Sequence, residues 1–404
     1  MSETFSAEFS LALACCRWPA TELQRECIGA AVTRVADWDR YMRVVRRHRI
    51  AGLAYHALTN SETSVPVEVI RDLRESANAI TRQNLLLAAE TIRLQEAFDN
   101  AGIPVFFFKG VSLSLLAYGT LSLKHGKDID FCVPPGLALQ ALRLLEERDY
   151  MLWLPAAALD QAQREAMVRH TMEAVLIHRT TGVQVELHWA LAYNPVLLRD
   201  INAYSETQMV ALSAGWSIRT LADECLFKYL CVHGAIHAWS RLKWLADLNA
   251  FLSSKSLVEI ERLYRSAVVH GPDLCAKLGL HLCEDLLDRE LPEIIATCPH
   301  DHSRVRRLVA FSLDTMTGQN EVAELRDRPV TNCRIILYHF LLCRTWRYIW
   351  EQCRFFSIAF HDILRFPLPR ALYFAYPFLR VPLWLWRRFR DGGRAGVLPP
   401  LPKG

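Results

Sequence analysis

The sequence predicts an α+β protein in which one small mixed sheet, within about residues 103–190, lies between helical parts of the chain. Residues 103–108 form a short run of aromatic and β-branched residues, and residues 128–133 alternate between polar and apolar side chains, as strands do. Two further strand-like segments, 172–178 and 183–189, flank a Thr-Thr-Gly turn typical of a hairpin. Outside the sheet, apolar residues recur at spacings of three and four, which predicts amphipathic helices.

We expect four parts along the 404 residues. They are an N-terminal helical segment (1–100), a core that contains the sheet (101–215), a helical domain that lines a cleft (216–330) and a basic, aromatic helical segment at the C-terminus (331–404). Within the core, residues 111–118 and 137–148 have the pattern of short helices that connect the strands.

The composition is that of a folded globular protein: 51% of the residues are hydrophobic and 22% are charged, which excludes disordered and low-complexity classes. Twelve cysteines without a C-x-x-C pair favour reduced thiols and a cytoplasmic location. We expect no export signal, because glutamates precede the apolar segment at 11–16. The longest apolar runs have about half of the ~20 residues that a membrane-spanning helix needs.

A pair of aspartates marks the predicted strand at 128–133. Because side chains of a strand alternate between its faces, Asp128 and Asp130 share one face while Ile129 and Phe131 point into the core. Two neighbouring carboxylates repel each other, and a hard divalent cation such as Mg²⁺ binds oxygen ligands of this kind. The alternative is an exposed pair without a metal.

Other polar residues fall near this pair. The strand at 183–189 places Gln184, Glu186 and His188 on one face, so that Glu186 becomes a third carboxylate if this strand pairs with the aspartate strand. Upstream, Lys109 and Gly110 lie where a strand turns into a helix, with Ser112 in the same turn. Backbone N–H groups at such a turn suit phosphate.

The runs G-I-P-V-F-F-F-K-G-V-S-L, K-H-G-K-D-I-D-F-C-V, V-E-L-H-W and H-G-A-I-H-A-W-S-R-L-K-W-L-A-D-L resemble the uncharacterised bacterial nucleotidyltransferases of the DNA polymerase β-like superfamily. The resemblance covers roughly residues 35 to 255. It implies that Asp128, Asp130 and Glu186 are catalytic and bind two Mg²⁺ (or Mn²⁺) ions, one at the acceptor hydroxyl and the other at the phosphates of an NTP donor.

The resemblance also has departures. The superfamily has Gly-Gly or Gly-Ser where this chain has Lys109-Gly110, and related sequences tend to have Arg at the place of Lys124 and a small residue at that of Lys127. Lysine keeps the positive charge but lacks the two-pronged geometry of arginine. Both lysines could neutralise a triphosphate or belong to a solvated loop.

A further group comprises His233, His237, Arg241, Trp244 and Asp247, which lie within roughly 120° of one another on a helix if it is continuous. The helix would then line the cleft, with the two histidines and Arg241 contacting nucleotide or acceptor. The alternative is a buried network in which Asp247 is the partner of a base. A zinc site at the two histidines is a further alternative. His188 could orient a carboxylate or contact the acceptor.

We therefore expect transfer of a nucleoside monophosphate from an NTP to a hydroxyl or phosphate of a sugar or peptide product. The alternatives are a toxin-like enzyme that modifies tRNA and a non-catalytic nucleotide-binding or scaffold protein. Residues 331–404 carry a net charge of +9, against −5 for residues 1–330. Together with its many aromatic residues, this segment could pack on the core, bind nucleic acid or contact the inner face of the membrane peripherally.

Overall fold

The computed structural model describes residues 5–156, 158–213, 215–296, 302–318, 329–357 and 360–366, and single positions between 368 and 382. It confirms the α+β class: a five-stranded mixed sheet is surrounded by helices from both ends of the chain.

Five helices precede the sheet, and three of them begin at a side chain that accepts a backbone N–H. The caps are Ser6, Thr21 and Asp37. The helices are α1 (Ala7–Cys15), α2 (Glu22–Val32), α3 (Trp38–His48), α4 (Ala51–Thr59) and α5 (Val67–Asn100). The long α5 begins after Pro66 and ends just before Gly102, which has a positive φ of 66°.

The sheet has the order β1-β2-β5-β4-β3, and only the central pair β2 and β5 is parallel. Its strands are β1 (Phe106–Phe107), β2 (Ile129–Cys132), β3 (Tyr150–Leu154), β4 (Glu173–His178) and β5 (Gln184–His188). The predicted hairpin of β4 and β5 is confirmed, and so is the pairing of the aspartate strand with the strand of Glu186. Strand β3 was not predicted, since its short apolar run has no alternation that separates a strand from a helix.

Several helices and a second sheet complete the described chain. Between the strands lie α6 (Gly110–Tyr118), α7 (Ala138–Glu146) and α8 (Gln161–His170), and a hairpin of β6 (Thr207–Ser213) and β7 (Trp216–Leu221) follows the main sheet. The expected division between residues 215 and 216 falls in the turn of this unpredicted hairpin; the four-part division stays a prediction. Thereafter come α9 (Asp223–Ile236), α10 (Leu242–Ser253), α11 (Leu257–His270), α12 (Asp273–Leu287), α13 (Glu293–Ala296), α14 (His302–Thr317), α15 (Pro329–Phe340), α16 (Trp346–Ser357) and α17 (Phe360–Arg365).

The two faces of the main sheet have different surroundings. Ile129 and Phe131 point into one apolar core, as predicted, and the ring of Phe131 lies 5.2 Å from that of Phe98 in α5. On the other face, Phe106, Phe108 and Cys132 belong to the larger core formed with the helices, and the ring of Phe108 lies 4.9 Å from Tyr229 in α9. The polar side chains of β2 and β5 share this second face.

Residues 233–247 do not form the one continuous helix on which their shared helical face was conditional. Helix α9 ends at Ile236 and α10 begins at Leu242, and between them Trp239 has a left-handed backbone with a φ of 48°. The fully buried Trp239 ring packs so closely on Gly234 and Gly279 that an added Cβ would lie 2.4 and 2.9 Å from it. This tertiary contact fixes the break between α9 and α10. Residues 237–241 contain no proline or glycine that would predict the break from the sequence.

The C-terminal helices are joined to the rest of the protein. In α15 the Tyr338 hydroxyl donates to the Ala235 carbonyl at 2.9 Å, and buried Asn194 donates to the Tyr348 carbonyl and to Gln352, both at 3.0 Å. Trp384, Trp386, Arg387, Arg388, Phe389 and Arg390, on which the membrane prediction depends, lie outside the described residues. In the described part of the chain, every helix is too short or too polar to cross a membrane.

Candidate active site

The centre of the site is Asp130, which is buried on the face of the sheet that packs against α9. The sheet register places Asp130 directly opposite Glu186. The ammonium of Lys109 donates to Oδ1 of Asp130 at 2.8 Å, and Nε2 of His188 lies 3.4 Å from the same oxygen. Burial alone would raise the pKa of Asp130, but Lys109 and His188 hold that pKa well below its usual range.

His188 connects the carboxylates of three strands. Its Nδ1 lies 3.1 Å from Glu173 and its Nε2 lies 3.8 Å from Glu186, in addition to the contact with Asp130. Burial would lower the pKa of His188, but Glu173, Asp130 and Glu186 together raise it to about 9. The imidazole is therefore charged at neutral pH in this arrangement, and it helps to balance the clustered acids.

The site has donors for a divalent cation. Ligand atoms of Asp130, Glu186 and His188 all lie within 4.8 Å of one another. Asp128 lines the same cleft but lies outside this group; burial, Asp130 and Glu186 raise its pKa to about 7. A divalent cation would relieve this crowding of acids, so the residues fit one. Two oxygens and a nitrogen suit Mn²⁺ as well as Mg²⁺, and Asp128 as a ligand stays a prediction.

The turn after β1 has the expected strand-to-helix form. Gly110 has a φ of +57°, a left-handed conformation that strains any residue with a side chain. The hydroxyl of Ser112 is buried and donates to the carbonyls of Phe107 and Lys109, both at 3.0 Å. Ser112 thus stabilises the turn from its buried side, whereas Lys109 and Gly110 line the cleft.

Basic side chains form much of the lining of the cleft that contains the carboxylates. The cleft has a volume of about 170 Å³, and its lining includes Arg49, Lys124, Lys127, Arg241, Lys243 and His125. Lys124 lies 2.5 Å from Asp247, which also accepts the Tyr118 hydroxyl at 3.1 Å. Asp247 is therefore the buried partner of a base, which was the alternative left open for it, and the cleft keeps an excess of positive charge.

The loop that carries Lys124 and Lys127 is anchored to α5. Buried Asn84 donates to the carbonyls of Leu121 and Lys124 at 2.6 and 2.7 Å. Gly126 lies against the same amide, because an added Cβ there would be 2.2 Å from its oxygen. The positions of the two lysines therefore depend on a fixed backbone.

The histidine and arginine group comes together despite the break between α9 and α10. The rings of His233 and His237 lie 4.6 Å apart, His237 stacks on Trp244 at 4.9 Å, and the Arg241 guanidinium lies 5.9 Å from Trp244. Arg241, Trp244 and His233 line the cleft, whereas His237 lines a neighbouring pocket. Burial and Lys109 lower the pKa of His233 far below its usual value, so that its ring is neutral. The described residues include no metal-ligand cluster at these histidines.

Several residues of the site were not predicted from the sequence, and one of them, Glu173, could have been. The hairpin turn at 180–182 pairs His178 with Val183, and continuing that register places Glu173 opposite His188. Arg49, His125 and Lys243 also line the cleft. No local pattern marks these three, because tertiary packing brings them to the cleft.

Comparison with protein families gives one result. The model of a family described as "Uncharacterised nucleotidyltransferase" matches residues 34–288, which is more than half of the chain. The matched segment contains β1 to β7, α9, α10 and every cleft residue named above. A search of curated proteins finds no match.

Proposed function

The chain belongs to this family of uncharacterised nucleotidyltransferases, and on that basis we propose that it transfers a nucleoside monophosphate from an NTP to an acceptor, with Mg²⁺ or Mn²⁺ as cofactor. One observation carries the proposal: buried Asp130 and half-buried Glu186 line a cleft that is also lined by lysines and arginines. Such a cleft suits a polyphosphate together with a divalent cation. The relation to the bacterial DNA polymerase β-like enzymes is part of this proposal.

The bound metal would polarise the phosphates and favour loss of a proton from the acceptor hydroxyl. Asp130, Glu186 and Asp128 would hold it, and His188 would donate a nitrogen only after the metal displaces its proton. Lys124, Lys243 and Arg241 bind the triphosphate. The acceptor oxygen bonds to the α-phosphorus as the bond to pyrophosphate breaks, and Glu186 takes the hydroxyl proton.

We propose a sugar or peptide as the acceptor, a cytoplasmic location and, for the C-terminal segment, peripheral contact with the inner face of the membrane. The proposed reaction is tested with four α-labelled NTPs, each with Mg²⁺ or Mn²⁺ and with pooled sugar, peptide and tRNA acceptors. Metal-dependent release of pyrophosphate with label on an acceptor supports the proposal. Label on tRNA alone would favour the RNA-modifying alternative, and nucleotide binding without pyrophosphate release under any condition would favour a non-catalytic protein.

Asn84→Ala is expected to weaken nucleotide binding by roughly tenfold, because the carbonyls of Leu121 and Lys124 lose their donor and the lysine loop loses its anchor. Calorimetric titration of NTP measures the effect. Asn60→Ala is the matched control, since its amide also donates to a backbone carbonyl, that of His56, but on an exposed helix end. Equal affinities in the two variants would show that the anchor does not position the nucleotide site.

Nucleotide binding without metal is expected to weaken as the pH rises above 7. Burial, Lys124 and Arg49 lower the pKa of Lys243 to about 7, so this side chain loses its charge there, whereas a bound polyphosphate favours the charged form. Above pH 7, nucleotide binding therefore requires Lys243 to take up a proton. The affinity for the nucleotide then falls by up to about tenfold per pH unit. Titrations of ATP in EDTA from pH 6 to 9 measure this dependence.

Lys243→Arg is the matched control, because guanidinium stays charged over this range. The ratio of the wild-type affinity to that of Lys243→Arg should fall with pH. A constant ratio would contradict the assignment of Lys243 to the phosphate site. Forming the ratio cancels the titration of the nucleotide itself.

A further inference from the structure

A second pocket shares one wall with the nucleotide cleft. It has a volume of about 650 Å³, within the range of small-molecule sites. Lys109, Glu186, Tyr229 and His233 line both cavities, and His188 lines only the second pocket. Glu186, the proposed proton acceptor, thus lies between the two spaces. A molecule in the second pocket would present its reactive group beside the position of the nucleotide.

The far wall of this pocket is apolar and comes from helices beyond the family match. Ile335, Ile336 and His339 of α15 and Phe355 and Phe356 of α16 line it. Aromatic rings continue around it: Phe355 lies 4.7 Å from Tyr193, and Phe108 lies 5.1 Å from His188. The hydrogen bonds of Tyr338 to Ala235 and of Asn194 to Tyr348 hold both helices in this position.

The charge of the pocket disfavours a polyanion. Lys109 is the one lysine or arginine among its described lining residues, and it is already bound to Asp130, while the charged His188 is balanced by Glu173 and Glu186. The nucleotide cleft has five such cations besides Lys109. An RNA strand would need basic groups along its backbone, so the two cavities differ in the ligand that they favour.

We infer that this pocket binds the acceptor and that the acceptor is an uncharged hydroxyl compound with an apolar ring next to the hydroxyl. The ring packs among Phe108, Phe355, Phe356 and Ile336, and the hydroxyl lies beside Glu186. Its oxygen bonds to the α-phosphorus, its proton goes to Glu186, and pyrophosphate leaves. This inference rests on the proposed function; among its acceptors it favours a peptide with an aromatic hydroxyl over a sugar, whose ring is polar, and it gives α15 and α16 the role of selecting the acceptor.

The test uses 2-naphthol as the probe, with binding to the full chain measured by calorimetry in the presence of Mg²⁺. The wild type should bind 2-naphthol. Phe356→Ala should weaken that binding by roughly tenfold or more, because part of an aromatic contact surface is removed. Ile336→Glu, at a side chain that is 39% exposed, should abolish it by placing a charge in the pocket. Trp350→Ala is the control on the same helix as Phe356, since Trp350 is 71% exposed and outside the lining.

NTP titrations of the same samples report the proposed function separately, and all three variants should bind nucleotide like the wild type. Absence of 2-naphthol binding in a wild type that binds NTP would overturn the acceptor inference alone. The acceptor inference is also overturned if 2-naphthol binds equally well to Phe356→Ala, Ile336→Glu and Trp350→Ala. Displacement of 2-naphthol by a short single-stranded RNA would also overturn it, because the pocket would then accept a polyanion.

Discussion

Glu186→Gln is expected to reduce nucleotidyl transfer by about a thousandfold or more while the protein stays folded. The substitution keeps the shape of the side chain but removes the charge that would hold the metal and accept the hydroxyl proton, and each of these effects is commonly worth factors of 10² to 10⁴ in rate, roughly. The side chain is 22% exposed and makes no short ion pair, so its loss leaves no buried charge alone. Pyrophosphate release per unit time is the measurement.

Glu146→Gln is the matched control for this variant. Glu146 is similarly half-buried, with 32% of its side chain exposed, and it binds Arg164 on the far side of the sheet domain. It should keep wild-type activity. Full activity in Glu186→Gln, at a melting temperature close to that of the wild type, would remove Glu186 from the catalytic site.

Asp130→Ala is expected to lower the free energy of unfolding by about 3 kcal/mol, in addition to abolishing activity. Asp130 is 3% exposed, and the substitution leaves Lys109 and His188 without the carboxylate that both contact. Removing one partner of a buried ion pair typically costs 3–5 kcal/mol, roughly, because the remaining charge stays out of water. Urea denaturation at neutral pH measures the change.

An exposed pair provides the comparison. Asp314 lies 2.8 Å from Arg334, but 60% and 56% of the two side chains are exposed. Asp314→Ala should therefore cost less than about 1 kcal/mol. Adding Lys109→Met to Asp130→Ala should recover part of the lost stability. Equal free energies of unfolding for Asp130→Ala and Asp314→Ala would show that the buried ion pair does not stabilise the fold.

The alternation of polar and apolar residues predicted the centre of the site from sequence. Asp130 and Glu186 are residues of strands with period two, and the structure confirms that both lie on the face opposite Ile129 and Phe131. The hairpin turn also determines the register of β4 and β5, which places Glu173 opposite His188. These features depend on local geometry, which a sequence encodes directly.

Other parts of the site depend on packing between distant segments. The spacing of residues 233–247 fits a continuous helix, yet the close packing of Trp239 on Gly234 and Gly279 breaks it. Lys243 follows this break, in the first turn of α10, and lines the cleft. The apolar wall from α15 and α16 could not be inferred either, since nothing in the sequence pairs Phe355 with Tyr193 or places Phe356 in the same pocket as Glu186.

The central claim is that Asp128, Asp130 and Glu186 hold the metal and nucleotide in the basic cleft. The most direct test is calorimetric titration of ATP, GTP, CTP and UTP, each with and without Mg²⁺, into the wild type and into the Asp128→Asn/Glu186→Gln variant. This variant keeps the ion pair of Asp130 and Lys109, and circular dichroism checks its fold. We predict Mg²⁺-dependent binding of at least one nucleotide by the wild type and its loss in the folded variant. Equal binding by both proteins, or no binding of any nucleotide by the wild type, would contradict the account.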